Sequence, residues 1–286
     1  MASWSDEYWT SRDGLNLHYR DYSGSADRPP VICLHGLTRN ARDFETLADR
    51  LAGDWRVIAP DFRGRGLSDP DPNSMNYLPA TYAADVLQMI DELAIDRAVF
   101  IGTSLGGIVT MIVAGFANQR IAGALLNDVG PELDTVGLER IRSYVGKPLA
   151  FKDWDEAAKA FATKYGEVHP AYGHEEWLRY ARRVGRETGK GIELDYDLAI
   201  VDPFDQLYSE PRANAWPLYL ALSGRPVTIL RGANSDLLPA DLAERMREAI
   251  PGAELAIVPN VGHAPDFDEP ESIAAVERML ARVLER

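Results

Sequence analysis

Six short apolar runs punctuate this chain, at 31–34, 57–59, 99–101, 124–126, 227–230 and 255–258, and they restrict its fold more than any other feature. Each is continuous and most carry β-branched residues. A segment apolar at every position has no face to give to water, so it must be covered on both sides. Amphipathic stretches lie between the runs. Tyr82, Val86, Met89, Ile90 and Leu93 fall on one helical stripe, with Thr81 as the expected N-cap. Leu242, Met246 and Ile250 repeat the pattern after Pro239, and Ile273, Val276, Leu280, Val283 and Leu284 repeat it from near Pro270. Strands alternating with helices predict a doubly wound α/β fold with a mostly parallel sheet. Residues 14–22 alternate instead, with Leu15, Leu17 and Tyr19 on one face, which predicts an antiparallel strand at the sheet edge.

The rhythm breaks once. Residues 131–216 hold no strand-like run and are helical in pattern. They are rich in aromatics: Phe151, Trp154, Phe161, Tyr165, Tyr172, Trp177, Tyr180, Tyr196, Phe204, Tyr208 and Trp216. No Gly/Ser-rich or Pro-rich spacer flanks them. The expected organisation is a core of residues 1–130 and 217–286 with a helical cap, 131–216, inserted between two core strands.

Composition narrows the partners. The 286 residues are 46% hydrophobic and carry a formal net charge of −14. Such a surface repels phosphate backbones and anionic lipid, so nucleic acid and membrane are not expected partners. The first residues, MASWSDEYWTSRDG, have neither a basic region nor an apolar core, and no run approaches the ~18 apolar residues of a membrane-spanning helix, so a cytoplasmic location is expected. A single cysteine, Cys33, lies within an apolar run and reads as a small buried hydrophobe. A monomer or homodimer is expected.

Four polar segments interrupt this pattern where strands should end. In VFIGTSLGGIV (99–109) an apolar strand runs directly into Gly-x-Ser-x-Gly. Side chains at Gly102 and Gly106 would collide across so sharp a corner. The turn lifts the Ser104 hydroxyl above the sheet, at the positive end of the following helix. VICLHGLTRN (31–40) ends a second strand in a loop. In an elbow architecture this loop and the residue after the nucleophile each supply one N–H to an oxyanion, here Leu37 and Leu105. His35 in that loop is expected to hydrogen-bond backbone and hold the loop in shape, not to act as a base. LRGANSDLL (230–238) places Asp236 in a turn after a strand, and VPNVGHAPDFDEP (258–270) places His263 in a loop after the last one. Ser104, Asp236, His263 is the Ser…Asp…His chain order of a nucleophile elbow on a parallel sheet.

With HGLT, DFRGRGLSD (61–69), GTSLGG, GANSD and VGHAP each in place, the sequence resembles the α/β-hydrolase superfamily over nearly its whole length. It is most similar to the bacterial esterase and lactonase branch, of the 3-oxoadipate enol-lactonase kind, with meta-cleavage-product hydrolases as relatives. The resemblance implies Ser104 as nucleophile, His263 as base and Asp236 as orienting acid, with no metal or organic cofactor. A serine nucleophile argues against the dehalogenase and epoxide hydrolase branches, which place aspartate there. Asp128, in LLNDVGPEL, is the competing acid, since some members carry theirs after that strand. Asp236 is preferred, and Asp128 is expected to brace the start of the cap.

The expected function is a serine hydrolase cleaving a small carboxylic ester or lactone through an acyl-enzyme. Carbon–carbon bond hydrolysis of a meta-cleavage-type diketone is an alternative, although the loop after His35 lacks the Ser-Gly-Pro-Gly type of sequence. A non-catalytic receptor for a small molecule on the same fold is another. The aromatic cap suits a small, partly apolar acyl compound. Arg179, Arg182, Arg183 and Arg186 could hold a substrate carboxylate, but a solvated helix face is the preferred reading.

Overall fold

The computed structural model of the chain describes residues 2–203 and 214–285. Its strands are β1 (Trp4–Thr10), β2 (Asn16–Tyr22), β3 (Val31–Leu34), β4 (Val57–Pro60), β5 (Ala98–Thr103), β6 (Ile121–Asn127), β7 (Ala150–Phe151), β8 (Gly185–Thr188), β9 (Gly191–Leu194), β10 (Val227–Gly232) and β11 (Glu254–Val258). All six apolar runs become strands of one eight-stranded sheet in the order β1-β2-β4-β3-β5-β6-β10-β11. From β4 to β11 every neighbouring pair is parallel. The segment expected at the edge, β2, is the second strand. β1 pairs antiparallel outside it, and its mostly exposed, charged face suits an edge open to water.

Strand periodicity sorts the core into two layers. Ile32, Leu34, Ile58, Phe100 and Leu126 point to one face, which α2 (Pro79–Glu92) and α3 (Leu105–Ala117) cover. Val31, Cys33, Val57, Val99, Ile101 and Leu125 point to the other, beneath α1 (Glu45–Leu51) and the C-terminal helix over Pro270–Leu284. Cys33 is wholly enclosed there, and burial pushes its thiol up. The α2 helix starts two residues before the expected N-cap, Thr81. Pro79 occupies its first turn, where a missing N–H costs nothing, and Leu78 is the cap. No helix among the described residues is long and apolar enough to cross a membrane.

Between β6 and β10 the chain leaves the sheet. It forms α4 (Thr135–Arg142), α5 (Trp154–Tyr165) and α6 (His174–Val184). It also forms a small antiparallel sheet, β7-β9-β8, that the sequence reading missed. These strands have two to four residues, too short to show a period, and a Thr188–Gly191 turn joins two of them. Phe161, Trp177, Ala181, Val184 and Ile192 form the segment's own core. Phe204 and Tyr208 lie outside the described residues. Beyond this insertion the chain completes α7 (Trp216–Leu220), α8 (Ala240–Ala249) and α9 (Pro270–Leu284).

The loop after β4 is built as a rigid brace. Buried Asp61 accepts from the N–H groups of Ala41 at 2.6 Å and Leu67 at 3.0 Å, and faces His18 Nδ1 at 2.7 Å. Gly66 sits at φ +54, and a Cβ there would lie 2.2 Å from Asp61 Oδ2, so only glycine fits. Buried Arg63 ties the same loop to Asp13, Asp71 and Asp85. Arg65 Nε reaches out of it to donate to the Leu37 carbonyl at 3.1 Å, which holds the loop after β3.

Candidate active site

The chain fills β4 on one side of β3 and then β5 on the other, so the strand order switches beside β3. Carboxyl ends of strands at such a point leave a crevice. Ser104 lies there, at the corner between β5 and α3. Its backbone is forced to φ +52, ψ −114, a strained conformation for a non-glycine residue. The neighbouring glycines make the corner possible. A Cβ at Gly102 would meet the Gly106 carbonyl oxygen at 2.4 Å, and one at Gly106 would meet the Leu34 carbonyl oxygen at 2.0 Å. The collision expected from the sequence is therefore with backbone, which cannot yield.

Ser104 Oγ lies 3.0 Å from His263 Nε2, and His263 Nδ1 lies 2.8 Å from a carboxylate oxygen. That carboxylate belongs to Asp128, not to Asp236. β6 lies directly beside β5, with Asn127 in register with Thr103, so the residue after β6 emerges next to Ser104. Asp128 takes a positive φ of +58, which short polar side chains tolerate, and is fully buried. Its Oδ1 accepts from Gly232 N–H at 2.9 Å, and its Oδ2 also accepts from Ser235 Oγ at 2.6 Å. The β10 loop thus serves the acid without supplying it.

Asp236 follows Ser235 but turns the other way. It accepts from Arg140 of α4 through both Nε and Nη2, the latter at 2.8 Å. Burial pulls against ionisation, yet the Arg140 guanidinium keeps the Asp236 carboxyl below its usual range. A Cβ on Gly137 would lie 2.6 Å from the Asp236 carbonyl oxygen, so α4 packs tightly on this loop. Asp236 therefore clamps the insertion to the sheet, the job expected of Asp128.

The other expected residues take their places around the same cavity. Leu37 lines it beside Ser104. Leu105 is the first residue of α3, where an N–H has no partner within the helix. No hydrogen bond among the described residues engages either the Leu37 or the Leu105 N–H. His35 Nδ1 donates to the Gly36 carbonyl at 2.7 Å, and its Nε2 accepts from Phe62 N–H at 3.1 Å. Burial depresses its pKa to about 4, so it is a neutral brace.

One feature carried no signal in the sequence, and a second carried little. Buried Asn127 donates from Nδ2 to Thr103 Oγ1 at 3.1 Å and to the Pro265 carbonyl at 2.8 Å, joining the serine elbow to the histidine loop. The cavity, of about 120 Å³, is also more polar than an aromatic cap suggests: Arg39, Arg140 and Arg183 line it with Tyr144, Tyr165 and Tyr180. Of the four clustered arginines, Arg179 pairs with Glu176 in solvent and Arg186 reaches Asp195 at the surface. Arg182 lies over Trp154, and Arg183 alone turns inward. The site places a serine hydroxyl within hydrogen-bond distance of an imidazole that itself faces a buried carboxylate, beneath polar donors.

Known proteins agree with this architecture. The model of the alpha/beta hydrolase family matches residues 31–276. A 3-hydroxybutyrate-oligomer hydrolase from Cupriavidus necator is 35% identical over 90% of each chain. A 2-(acetamidomethylene)succinate hydrolase from Mesorhizobium japonicum is 28% identical over 93% of each. The crystal structure of an alpha/beta hydrolase from Novosphingobium aromaticivorans superposes with a TM-score of 0.94, at 51% identity over 99% of both chains. A parallel sheet wound about a serine elbow, matched at this coverage by sequence and by shape, makes the chain a hydrolase of the alpha/beta hydrolase family.

Proposed function

We propose that the chain hydrolyses a short carboxylic ester through an acyl-enzyme on Ser104. The observation that carries this reading is the unbroken hydrogen-bond chain from Ser104 Oγ through His263 to Asp128, opening into a cavity. His263 Nε2 takes the serine proton as Oγ attacks the ester carbonyl carbon. The N–H groups of Leu37 and Leu105 receive the oxyanion. The intermediate collapses, the carbon–oxygen bond to the alcohol breaks, and the alcohol leaves with the proton that His263 returns. A water that gives its proton to His263 then attacks the acyl carbon, and the acid departs as Ser104 regains its hydrogen. Asp128 keeps the imidazole in the tautomer with hydrogen on Nδ1 and stabilises its charged form.

Similarity to a 3-hydroxybutyrate-oligomer hydrolase supports a hydroxy-acid ester as substrate, since such oligomers are chains of carboxylic esters. The test is hydrolysis of p-nitrophenyl acetate, butyrate and octanoate by wild type and Ser104→Ala. Turnover of the short esters, falling by up to about 10⁶-fold in the alanine variant, is expected. Turnover that survives in Ser104→Ala, or none in wild type, would sink the proposal.

A further inference from the structure

Three arginines and two aspartates, Asp43 and Asp266, line the cavity of a chain whose net charge is −14. Each of the three arginines lies against a carboxylate, so what separates them is how firmly that partner holds them. Two of these arginines are committed. Arg39 grips Asp43 through Nε and Nη2, at 2.7 and 2.6 Å, and Arg140 grips Asp236 through the same pair of nitrogens. Arg183 is different. Its side chain is 10% exposed, and the one hydrogen bond that side chain makes among the described residues, from Nη2 to Asp266 Oδ2, is 3.3 Å long. Asp266 is already supplied, accepting from Tyr172 Oη on Oδ2 and from Asp268 N–H on Oδ1. Arg183 Nε is buried with no hydrogen-bond partner among the described residues.

A guanidinium cannot shed its charge to escape this position. An unpaired buried donor on a charged group costs more than a neutral one, and a carboxylate is the acceptor whose geometry matches its fork. From this we infer that Arg183 is the anchor of a carboxylate subsite, and that the substrate is an ester bearing a free carboxylate away from the scissile bond. This rests on the ester-hydrolase reading for the bond that is broken, while the subsite stands on Arg183 itself. A linear hydroxy-acid oligomer, with one carboxylate at its end, is the chemical class that satisfies both. The neutral ester of a simple alcohol would leave the cavity-lining Arg183 guanidinium with no acceptor beyond its 3.3 Å bond to Asp266. The subsite thus selects for charge, where an aromatic pocket would select only for size.

Binding, read without turnover, tests this directly. Ser104→Ala is titrated calorimetrically with the linear dimer of 3-hydroxybutyrate and, separately, with the same dimer capped as its terminal primary amide. The acid is expected to bind at least about tenfold tighter than the amide. Adding Arg183→Gln should bring the acid down to the affinity of the amide and leave the amide within about twofold. Arg183→Lys, which keeps the charge and loses the fork, should fall between. Retained amide binding shows that the cap is still folded in each variant. Equal affinity of acid and amide for Ser104→Ala, including no binding of either, overturns the subsite, as does an equal loss of both in Arg183→Gln. The two readings separate cleanly. Ester turnover by wild type with no preference for the acid defeats the subsite alone, whereas carboxylate-selective binding with no ester turnover defeats ester hydrolysis alone.

Discussion

Two aspartates compete for one role, and replacing each by asparagine distinguishes them. Asp128 receives three groups: Gly232 N–H on Oδ1, and Ser235 Oγ with His263 Nδ1 on Oδ2. In Asp128→Asn the carbonyl oxygen stays on the Gly232 N–H, since a backbone donor cannot reverse. The amide NH₂ then faces His263. The imidazole can satisfy it only by accepting on Nδ1, which moves the ring proton to Nε2. His263 then meets Ser104 Oγ, 3.0 Å away, with a donor where an acceptor is needed. The base is lost with the geometry intact. The same tautomer error in a well-studied serine protease triad costs about 10⁴-fold in turnover, or roughly 5.5 kcal/mol of barrier. Asp236→Asn removes an ion pair whose side chains are 31% and 29% exposed, worth at most about 1 kcal/mol after solvent screening. Its turnover should stay within about fivefold of wild type. The assay is kcat/KM on p-nitrophenyl butyrate for all three proteins, with circular dichroism as the folding control. A drop of 10³-fold or more in Asp236→Asn, or an Asp128→Asn enzyme within tenfold of wild type, would refute the reasoning.

Gly106→Ala should destabilise the fold by about 3 kcal/mol or more, because the new Cβ would sit 2.0 Å from the Leu34 carbonyl oxygen and only a shift of β3 or α3 could relieve it. Urea unfolding measures this, and a loss below 1 kcal/mol would show that the elbow yields. His169, buried against Tyr172, has its pKa lowered from 6.5 to about 4, chiefly by burial. The unfolded chain therefore binds a proton below pH 6.5 that the folded chain refuses until about pH 4, so stability falls on acidification across that window. His169→Phe, which keeps the stacking, should flatten the slope of unfolding free energy between pH 6.5 and 4, and an unchanged slope would rule out His169 as a source.

The sheet was legible because burial on both faces leaves no ambiguity of period. A run such as Val31-Ile32-Cys33-Leu34 can satisfy both layers only as a central parallel strand, and its flanking helices must then cross over it. Where burial is one-sided or absent, the signal thins. β1 is exposed at five successive positions and so carries no hydrophobic alternation, and it was found only by its pairing with β2. The short strands β7 to β9 are in the same position.

The site divides along a similar line. Ser104 sits in a turn whose glycines have a steric reason to be there, and His263 lies in the loop after the last strand, where chain order places a base; both signals run along the sequence. The acid's does not. Asp128 and Asp236 both follow parallel strands, and both lie in polar turns before a helix. Which one faces His263 depends on the neighbour of β5 in the sheet, a fact of strand order and not of local pattern. β6 is that neighbour, and its end is level with Ser104, while Asp236 lies four residues beyond the end of β10. Arg183 shows the same dependence from the opposite side. It belongs to a cluster of arginines, three on a strongly amphipathic helix and Arg186 just beyond it in β8, where a solvated role is the sensible default, and the other three take it. What turns Arg183 inward is its place in the last turn of α6, against the loop that carries Asp266. Chemistry that rests on one turn can be read along the chain. Chemistry that rests on which strand or helix lies alongside requires the fold.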